Sequence, residues 1–470
     1  LIMTQSAKSS ASLTEFTWSQ QPEAAGLVND LIQELRVAFD PIDQFAIKLK
    51  QQTGTRLLDW IDHIAWPATD DIIAKLRAAG FEPQKTDIAA TYGVPGTTFR
   101  HAGAILPPLR LNTVGSKKRL AVRADSVIEF LAANGTHQSE SLQGLPFSVM
   151  RRATVADDAQ HEFVVIERHG DRGDRDEAAT PEKIVGWLTH LERFRLRARD
   201  LDSDQQAFEV TEWLIDSAIA DLGVDQTCEL FFLAEREYWQ RRNKAARVQK
   251  ALNDLMGLGW ANHDHHTYRC SRENFHRVIP LLEKLGLQCR ERFYAGKEAG
   301  WGAQVLEQPR TGIIVFADVD LSAEEIHGDI GHQPLKPRTE LGTVGLWVEL
   351  HGEAFLQAGM HHLECQFEFD ASLDLLAAQG IKTMKPFTDF PFLRQAFTEG
   401  EVWPVAPRRV YRLLNAGSIT KEQADQFLAR GAVGSHLEVL ERNDGYKGFN
   451  QTGINEIIRD TDPRKLTAAL

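Results

Sequence analysis

The feature that most constrains the fold is an order of elements that occurs twice, about two hundred residues apart. The first copy opens with Asp62-His63 in the apolar run LLDWIDHIAW and continues with the helix DDIIAKLRAAG, for which Thr69 is a suitable N-cap. The second opens with Asp264-His265 in GWANHDHHTYRC and continues with the helix RENFHRVIPLLEKLG. Strand-like runs follow it: QCRERFYA, GAQVLEQ, GIIVFADVDL and VGLWVEL. The repeat predicts an α+β fold in which paired βαβββ modules form a curved mixed sheet around one site, with further helices outside.

The rest of the chain divides by periodicity and polarity. Long helical stretches, TPEKIVGWLTHLERFRLRARD and ELFFLAEREYWQRRNKAARVQKAL, lie between the two copies. We predict a disordered leader (1–22), N-terminal helices with the start of the first module (23–112), mixed strands followed by a helical insertion (113–250), the second module (251–359) and a C-terminal α/β extension that closes the site (360–470).

Composition excludes several classes of protein. The chain of 470 residues is 43% hydrophobic and 25% charged, as folded globular proteins are. It has no run of the ~18 apolar residues that a membrane helix needs, and its net charge of -13 argues against nucleic acid as a partner. Four scattered cysteines without a CxxC pair argue against a zinc knuckle or a disulfide framework. We expect a cytoplasmic protein without membrane or nucleic-acid partners; its oligomeric state stays open, a homo-oligomer included.

The repeated Asp-His pairs suggest a metal site. First strands of paired βαβββ modules meet at the mouth of a curved sheet, so His63 and His265 are candidate ligands, and Glu349 in GLWVELHGE would add a carboxylate from a late strand. Two imidazoles and one carboxylate leave one side of iron(II) open for oxygen and a chelating substrate. We therefore predict one iron(II) ion bound by His63, His265 and Glu349, which are also the predicted catalytic residues.

Alternatives to this set remain. A single histidine beside an aspartate on a strand is more often a hydrogen-bonded structural pair than a ligand. His263 shares a strand face with His265 under period-two alternation and could replace it. The rivals of Glu349 are Glu307, Glu353 and Glu438 in HLEVLE.

Several motifs resemble the 2-oxoadipate dioxygenase/decarboxylase (hydroxyglutarate synthase) family of the vicinal oxygen chelate superfamily. The similarity is strongest over residues 55–110 and extends over 260–355. The matching positions are His63, Asp87, Gly93-Val94-Pro95, Thr98-Phe99-Arg100, Asp264-His265-His266-Thr267, Leu306-Glu307-Gln308, Trp347-Val348-Glu349 and, in a closing C-terminal loop, Gly448-Phe449-Asn450-Gln451-Thr452.

The resemblance implies a non-haem Fe(II)-dependent dioxygenase that takes O2 and a small 2-oxo acid, decarboxylates it and hydroxylates the remaining carbon skeleton. The family usually has an arginine four residues after its first metal histidine, which binds the substrate carboxylate; this chain has Pro67 there. Either another arginine binds the carboxylate or the substrate differs from 2-oxoadipate, so we predict a 2-oxo acid or a related small organic acid similar to 2-oxoadipate. Arg269 follows His265 at the same spacing, and Arg100 lies in the matched Thr-x-Phe-Arg element.

We predict that Arg100 and Arg269, together with Asp444 near the closing loop, bind the substrate; Arg110 is a further candidate for the missing arginine. Two other functions stay open. The first is a non-redox isomerase, lyase or hydrolase that uses another metal as a Lewis acid. The second is a metal-free protein that binds a small molecule.

Overall fold

The computed structural model describes residues 17–84, 96–135, 141–173, 177–450 and 462–465. Its helices are α1 (Pro22–Ala38), α2 (Asp40–Thr53), α3 (Asp70–Ala78), α4 (Val127–Ala133), α5 (Pro181–Arg195), α6 (Asp204–Leu222), α7 (Val224–Arg241), α8 (Lys244–Asp254), α9 (Phe275–Lys284), α10 (Thr343–His351), α11 (Phe369–Ala378), α12 (Pro407–Asn415) and α13 (Lys421–Arg430). Its strands are β1 (Ile61–Pro67), β2 (Glu82–Pro83), β3 (Gly96–Arg100), β4 (Leu109–Asn112), β5 (Lys118–Arg123), β6 (Met150–Asp157), β7 (His161–Arg168), β8 (His263–Arg269), β9 (Gln288–Tyr294), β10 (Trp301–Glu307), β11 (Ile314–Asp320), β12 (His362–Gln366), β13 (Thr388–Phe390), β14 (Leu393–Phe397), β15 (Glu401–Trp403) and β16 (Ala432–Arg442).

The N-terminal sheet has the strand order β2-β3-β4-β1-β5-β7-β6. Its first half is the strand-helix-strands unit β1-α3-β2-β3-β4, in which β4 returns parallel to β1. Its second half is β5-α4-β6-β7, in which β7 returns parallel to β5. The two halves join where β1 and β5 pair antiparallel, with His63 opposite Ala121.

The C-terminal sheet repeats this plan in the order β13-β14-β16-β12-β8-β11-β10-β9, with β15 beside β16. One unit is β8-α9-β9-β10-β11, with β11 parallel to β8. The other starts with β12 and α11 and ends with β16, which is parallel to β12. They join where β8 and β12 pair antiparallel, with His265 opposite Glu364. The predicted α+β fold of paired βαβββ modules is thus confirmed, although the two copies recognised in the sequence belong to different sheets.

The long helices lie outside the sheets, as predicted. Trp187 of α5, Phe208 of α6 and Phe231 of α7 belong to one apolar core with Tyr268 of β8 and Val315 of β11. Burial of large aromatic side chains on this scale is the main term that holds helices to a sheet. In the part of the chain that is described, no helix is long and apolar enough to cross a membrane.

The predicted strand VGLWVEL is instead helix α10, which corrects the position of Glu349. Short apolar runs are compatible with either structure when both sides are buried. Here the carboxylate of Asp320, at the end of β11, accepts hydrogen bonds from the backbone N–H groups of Gly342 (2.8 Å), Val344 (3.1 Å) and Gly345 (3.0 Å). A side chain from another element thus satisfies the free N–H groups of the first helical turn, which favours the helix.

Several sequence predictions concern residues that the structure does not describe. Residues 1–16 of the predicted leader, Asp87, Gly93-Val94-Pro95 and Gln451-Thr452 lie outside the described residues. Both sheets cross predicted segment boundaries: the N-terminal sheet runs through residue 112, and the C-terminal sheet contains strands on both sides of residue 359.

Candidate metal centre

Three buried side chains of the C-terminal sheet converge on one point. They are His265 of β8, His362 of β12 and Glu438 of β16, and one ligand atom from each lies within 4.8 Å of the others. Nε2 of His362 is 3.0 Å from Oε2 of Glu438. The three residues are only 6%, 8% and 3% exposed, respectively. Two imidazoles and a carboxylate in this arrangement can bind one divalent metal ion from one side.

The strand pairing explains the convergence. β12 lies between β8 and β16, so donors on the three strands are neighbours. Glu364 is opposite both His265 and Glu438 in the registers. Because alternate residues of a strand face the same side, His362 points to the same side as Glu364, two residues along β12. The ligands therefore come from the first strand of each unit and the last strand of the second unit.

A second layer of polar side chains orients these donors. Gln395 of β14 donates from Nε2 to Oε2 of Glu364 (3.0 Å) and to Oε1 of Glu438 (3.1 Å). Nδ1 of His265 lies 3.1 Å from Oε1 of Glu364, although the contact is not aligned as a hydrogen bond. A carboxylate beside one ring nitrogen of a histidine typically leaves the other nitrogen for the metal.

Asp264, His265 and Glu364 form a second close group of possible donors. The Asp264 carboxylate, however, is already held by Arg442, which donates from Nε (3.2 Å) and Nη2 (3.1 Å). Arg442 and His265 outweigh burial and lower the pKa of Asp264 well below its usual value. This carboxylate is neutralised by the guanidinium, so the set of His265, His362 and Glu438 is the better metal site.

The pKa shifts of the three donor side chains are consistent with a site that binds a cation. Burial, together with the neighbouring Glu364 carboxylate, raises the pKa of Glu438 well above its usual value. Burial lowers the pKa of His362, which favours the neutral imidazole that metals bind. Burial opposes protonation of His265, but Glu364 and Asp264 outweigh it and raise the pKa to about 9. A divalent ion between these groups would replace the protons that otherwise reduce repulsion between the carboxylates.

The donors border a cavity of about 70 Å³ in the C-terminal sheet. Aromatic side chains form much of its wall, namely those of Trp301, Phe316, Phe387, Phe397 and Phe449. Phe449 comes from the segment predicted to close the site, and Asn450 anchors that segment through a 2.8 Å hydrogen bond to Thr388. Such a wall keeps water away from a reacting ligand.

Arg269 also borders this cavity. It lies four residues after His265 on the same face of β8, is only 2% exposed and makes no hydrogen bond to any residue that the structure describes. Burial lowers the pKa of Arg269 to about 10, although Asp318 opposes this shift. Asp318 is opposite Arg269 in the sheet, and burial raises its pKa to about 7. A guanidinium with free donors beside the metal donors is suited to an anionic group of a ligand.

The structure does not bring His63, His265 and Glu349 together. His63 lies in the N-terminal sheet, where Nδ1 is 2.7 Å from Asp62, and Asp62 accepts from Nε (2.6 Å) and Nη2 (2.9 Å) of Arg168. Glu349 lies on α10 with its side chain 34% exposed and pairs with Arg412 at 2.5 Å. Within the described ranges, neither residue belongs to a group of possible metal ligands.

The two sheets share one arrangement of strands, which explains why the sequence pattern pairs His63 with His265. Asp62-His63 with Arg168 repeats the arrangement of Asp264-His265 with Arg442. The registers, however, place Ala121 of β5 where the C-terminal sheet has Glu364, and Val164 of β7 where it has Glu438. The N-terminal copy thus keeps the aspartate–histidine–arginine contacts and lacks the carboxylate ligand.

The other predicted residues lie elsewhere, apart from Arg269 and Glu438. Arg100 and Asp444 line a second cavity, which lies between the two sheets. They do not border the cavity beside His265, His362 and Glu438, which we call the metal cavity. Of the alternatives, Glu307 pairs with Arg290 at 3.0 Å, and Glu353 accepts a hydrogen bond from Asn274 at 3.0 Å. Nε2 of His263 lies 3.3 Å from Arg172.

Sequence reasoning missed His362, Glu364 and Gln395. A signal for His362 was present: His361-His362 opens a strand that is followed by the helix ASLDLLAAQG, in the same order as the two recognised copies. Gln395 has no comparable signal, because its role depends on the pairing of β14 with β16.

Comparisons with known proteins give only distant similarity. No family model and no curated protein match the chain. Similar solved structures include a variant of 4-hydroxymandelate synthase from Streptomyces coelicolor (13% identity, 86% of this chain, 98% of that chain, TM-score 0.28). Others are methylmalonyl-CoA epimerase from Mycobacterium tuberculosis (14% identity, 38% of this chain, 87% of that chain, TM-score 0.22) and a Mn(II)-bound glyoxalase from Novosphingobium aromaticivorans (11% identity, 82% of each chain, TM-score 0.18). Since one fold can host many reactions, the activity has to be argued from the site itself.

Proposed function

We propose that this protein is an Fe(II)-dependent oxygenase that acts on a small organic acid. The observation that carries the proposal is the buried set of two histidines and one carboxylate, His265, His362 and Glu438, on one side of an aromatic cavity. This donor set with open positions is typical of non-haem iron oxygenases. Iron(II) bound there would supply a site at which O2 and an organic acid can react.

The residues around the donors favour an acidic substrate. Arg269 presents a guanidinium to the same cavity and has no carboxylate partner within ion-pair distance in the described part of the chain. A 2-oxo acid offers adjacent keto and carboxylate oxygens for chelation, and a second carboxylate would suit Arg269. The aromatic side chains would exclude water from the bound acid. We therefore favour a 2-oxo diacid, with decarboxylation coupled to oxygen consumption.

One test uses protein loaded anaerobically with Fe(II) and a series of acids. O2 uptake and CO2 release are measured with 2-oxoadipate, 2-oxoglutarate, 2-oxohexanoate and hexanedioate. We expect turnover of the 2-oxo diacids, weaker turnover of the monoacid and none of hexanedioate, which lacks the keto group. Arg269→Gln should raise KM for the diacid about thirty- to several-thousand-fold, the usual effect of losing a buried arginine–carboxylate contact. The metal content should not change.

Two outcomes would argue against this function. Equal KM values for Arg269→Gln and the wild type would exclude the arginine as the carboxylate site. If iron-loaded protein consumed no O2 with any acid, the oxygenase proposal would fail. A non-redox isomerase or lyase would then be favoured by Asp318, which borders the cavity and has a pKa near 7, suitable for a general base.

A further inference from the structure

A second cavity lies between the two sheets and is lined by arginines. Its volume is about 400 Å³. It is bounded by residues at the ends of β3, β5 and β16, by the loop after β7 and by the segment that precedes β1. Its guanidinium groups belong to Arg56, Arg100, Arg123, Arg172 and Arg442.

Two of these arginines are neutralised by carboxylates of the protein. Arg56 pairs with Asp59 at 2.7 Å. Arg442 binds Asp264 through two nitrogens, as described above. Asp62 also lines the cavity, but Arg168 holds its carboxylate.

The other three arginines have no ion-pair partner in the described ranges. Arg100 donates to the backbone carbonyl of Arg172 at 3.1 Å. Nη2 of Arg172 lies 3.3 Å from Nε2 of His263. Arg123 makes no hydrogen bond to a described residue, and its Nε is buried. Asp444 is the lining carboxylate that is not held by an arginine.

These groups repel one another. Burial and the nearby Arg123 lower the pKa of Arg172 to about 9. Burial also lowers the pKa of Arg123, and Arg168 and Arg100 add to this effect. The carboxylates of Glu229 and Asp62 oppose these shifts, but neither lies within ion-pair distance of Arg123 or Arg172. Partly buried positive charges without an ion-pair partner reduce the stability of the folded protein. A bound anion would offset their repulsion through charge-assisted hydrogen bonds.

We infer that this cavity between the sheets is a second ligand site, which binds a small organic or inorganic anion with at least two negatively charged phosphate or carboxylate groups. Three unpaired guanidiniums match two or three such groups better than one. The volume lies in the range of cavities that hold small metabolites. The site is built from residues of both sheets and does not depend on the metal centre or on the proposed reaction.

The test is calorimetric titration of the full chain, without added metal, with pyrophosphate and with citrate. Acetate at matched ionic strength shows the effect of a single charge. We expect saturable binding of pyrophosphate, citrate or both, and the preferred probe identifies phosphate or carboxylate as the better group. Arg123→Gln and Arg172→Gln remove charge while keeping a polar side chain, and each should weaken binding about tenfold or more.

Matched variants separate this site from other causes. Arg408→Gln changes an exposed arginine that pairs with Asp200, and it should leave the affinity unchanged. Arg269→Gln should also leave it unchanged, because that arginine belongs to the metal cavity. Asp444→Asn removes a repelling carboxylate and should strengthen binding about two- to tenfold. The inference is overturned if neither pyrophosphate nor citrate binds saturably, or if acetate binds as well as they do. It is also overturned if both Arg123→Gln and Arg172→Gln, each shown to be folded by circular dichroism, bind like the wild type.

Discussion

At the scale of single residues, Gln395 has the most specific role outside the ligands themselves. One amide nitrogen donates to both Glu364 and Glu438, so it holds two buried carboxylates that would otherwise repel each other. It therefore fixes the carboxylate of one ligand without being a ligand. Gln395 is therefore a positioning residue.

We expect Gln395→Leu to weaken Fe(II) or Co(II) binding about ten- to a hundredfold, the usual effect of losing an outer contact of a metal ligand. Metal titration under anaerobic conditions measures this change. Gln249→Leu is a matched control, because Gln249 is buried and bonded to Asn253 and Thr53 outside the metal cavity. The control should lower the stability of the protein and keep its metal affinity. Equal metal affinities for Gln395→Leu and the wild type would contradict the assigned role.

Among the helices and strands, the local sequence pattern predicts each strand-helix-strands unit well. It does not predict which two units pair to form one sheet. β8, α9 and β9 to β11 all lie where the sequence predicts them. The pairing of units depends on contacts between distant strands, which no local pattern contains. The predicted partner of His265 was therefore taken from β1 rather than from β12.

Helix α10 shows a second reason for error. Nearly all of its residues are buried and Glu349 is its one acidic side chain, so the sequence has too weak an amphipathic period to distinguish a helix from a strand. The contact that favours the helix is made by Asp320, more than twenty residues earlier in the chain. Glu438 is among the alternatives to Glu349, and nothing in the sequence alone favours it over the others.

Glu353, which follows α10, gives a pH-dependent prediction. Burial raises its pKa to about 7, against hydrogen bonds from Ser271 and Asn274 that favour the ionised form. Between pH 4.5 and 7 the folded protein therefore holds a proton that the unfolded chain has lost. The free energy of unfolding should fall by up to about 3 kcal/mol as the pH rises through this window, as expected for a shift of this size. It should then level off.

The measurement is urea unfolding of wild type and Glu353→Gln at several pH values between about 4 and about 8. Because glutamine cannot ionise, we expect the variant to lose less stability as the pH rises and to exceed the wild type above pH 7. Glu349→Gln is the control, since this half-buried residue pairs with the exposed Arg412. Parallel stability curves for Glu353→Gln and the wild type would show that Glu353 does not carry this dependence.

At the scale of the whole molecule, two sheets share one plan and differ in their chemistry. In each sheet an arginine on the last strand binds the aspartate of the aspartate–histidine pair. This arginine is Arg168 in the N-terminal sheet and Arg442 in the C-terminal sheet. In the C-terminal sheet alone, among the described residues, histidine and glutamate side chains complete a possible metal site. From the N-terminal sheet, Arg100 at the end of β3 and Arg123 at the end of β5 instead line the cavity between the sheets.

His265, His362 and Glu438 are proposed to bind one metal ion. Metal analysis of the protein after anaerobic reconstitution with Fe(II) and desalting tests this assignment. We expect about one iron per chain in the wild type, in His63→Ala and in Glu349→Gln, and almost none in His362→Ala and Glu438→Gln, since a site that loses one of three ligands binds far more weakly. Circular dichroism of each variant confirms that it is folded. Iron retained by folded His362→Ala and Glu438→Gln, together with its loss from His63→Ala, would contradict this assignment and favour the ligands predicted from the sequence repeat.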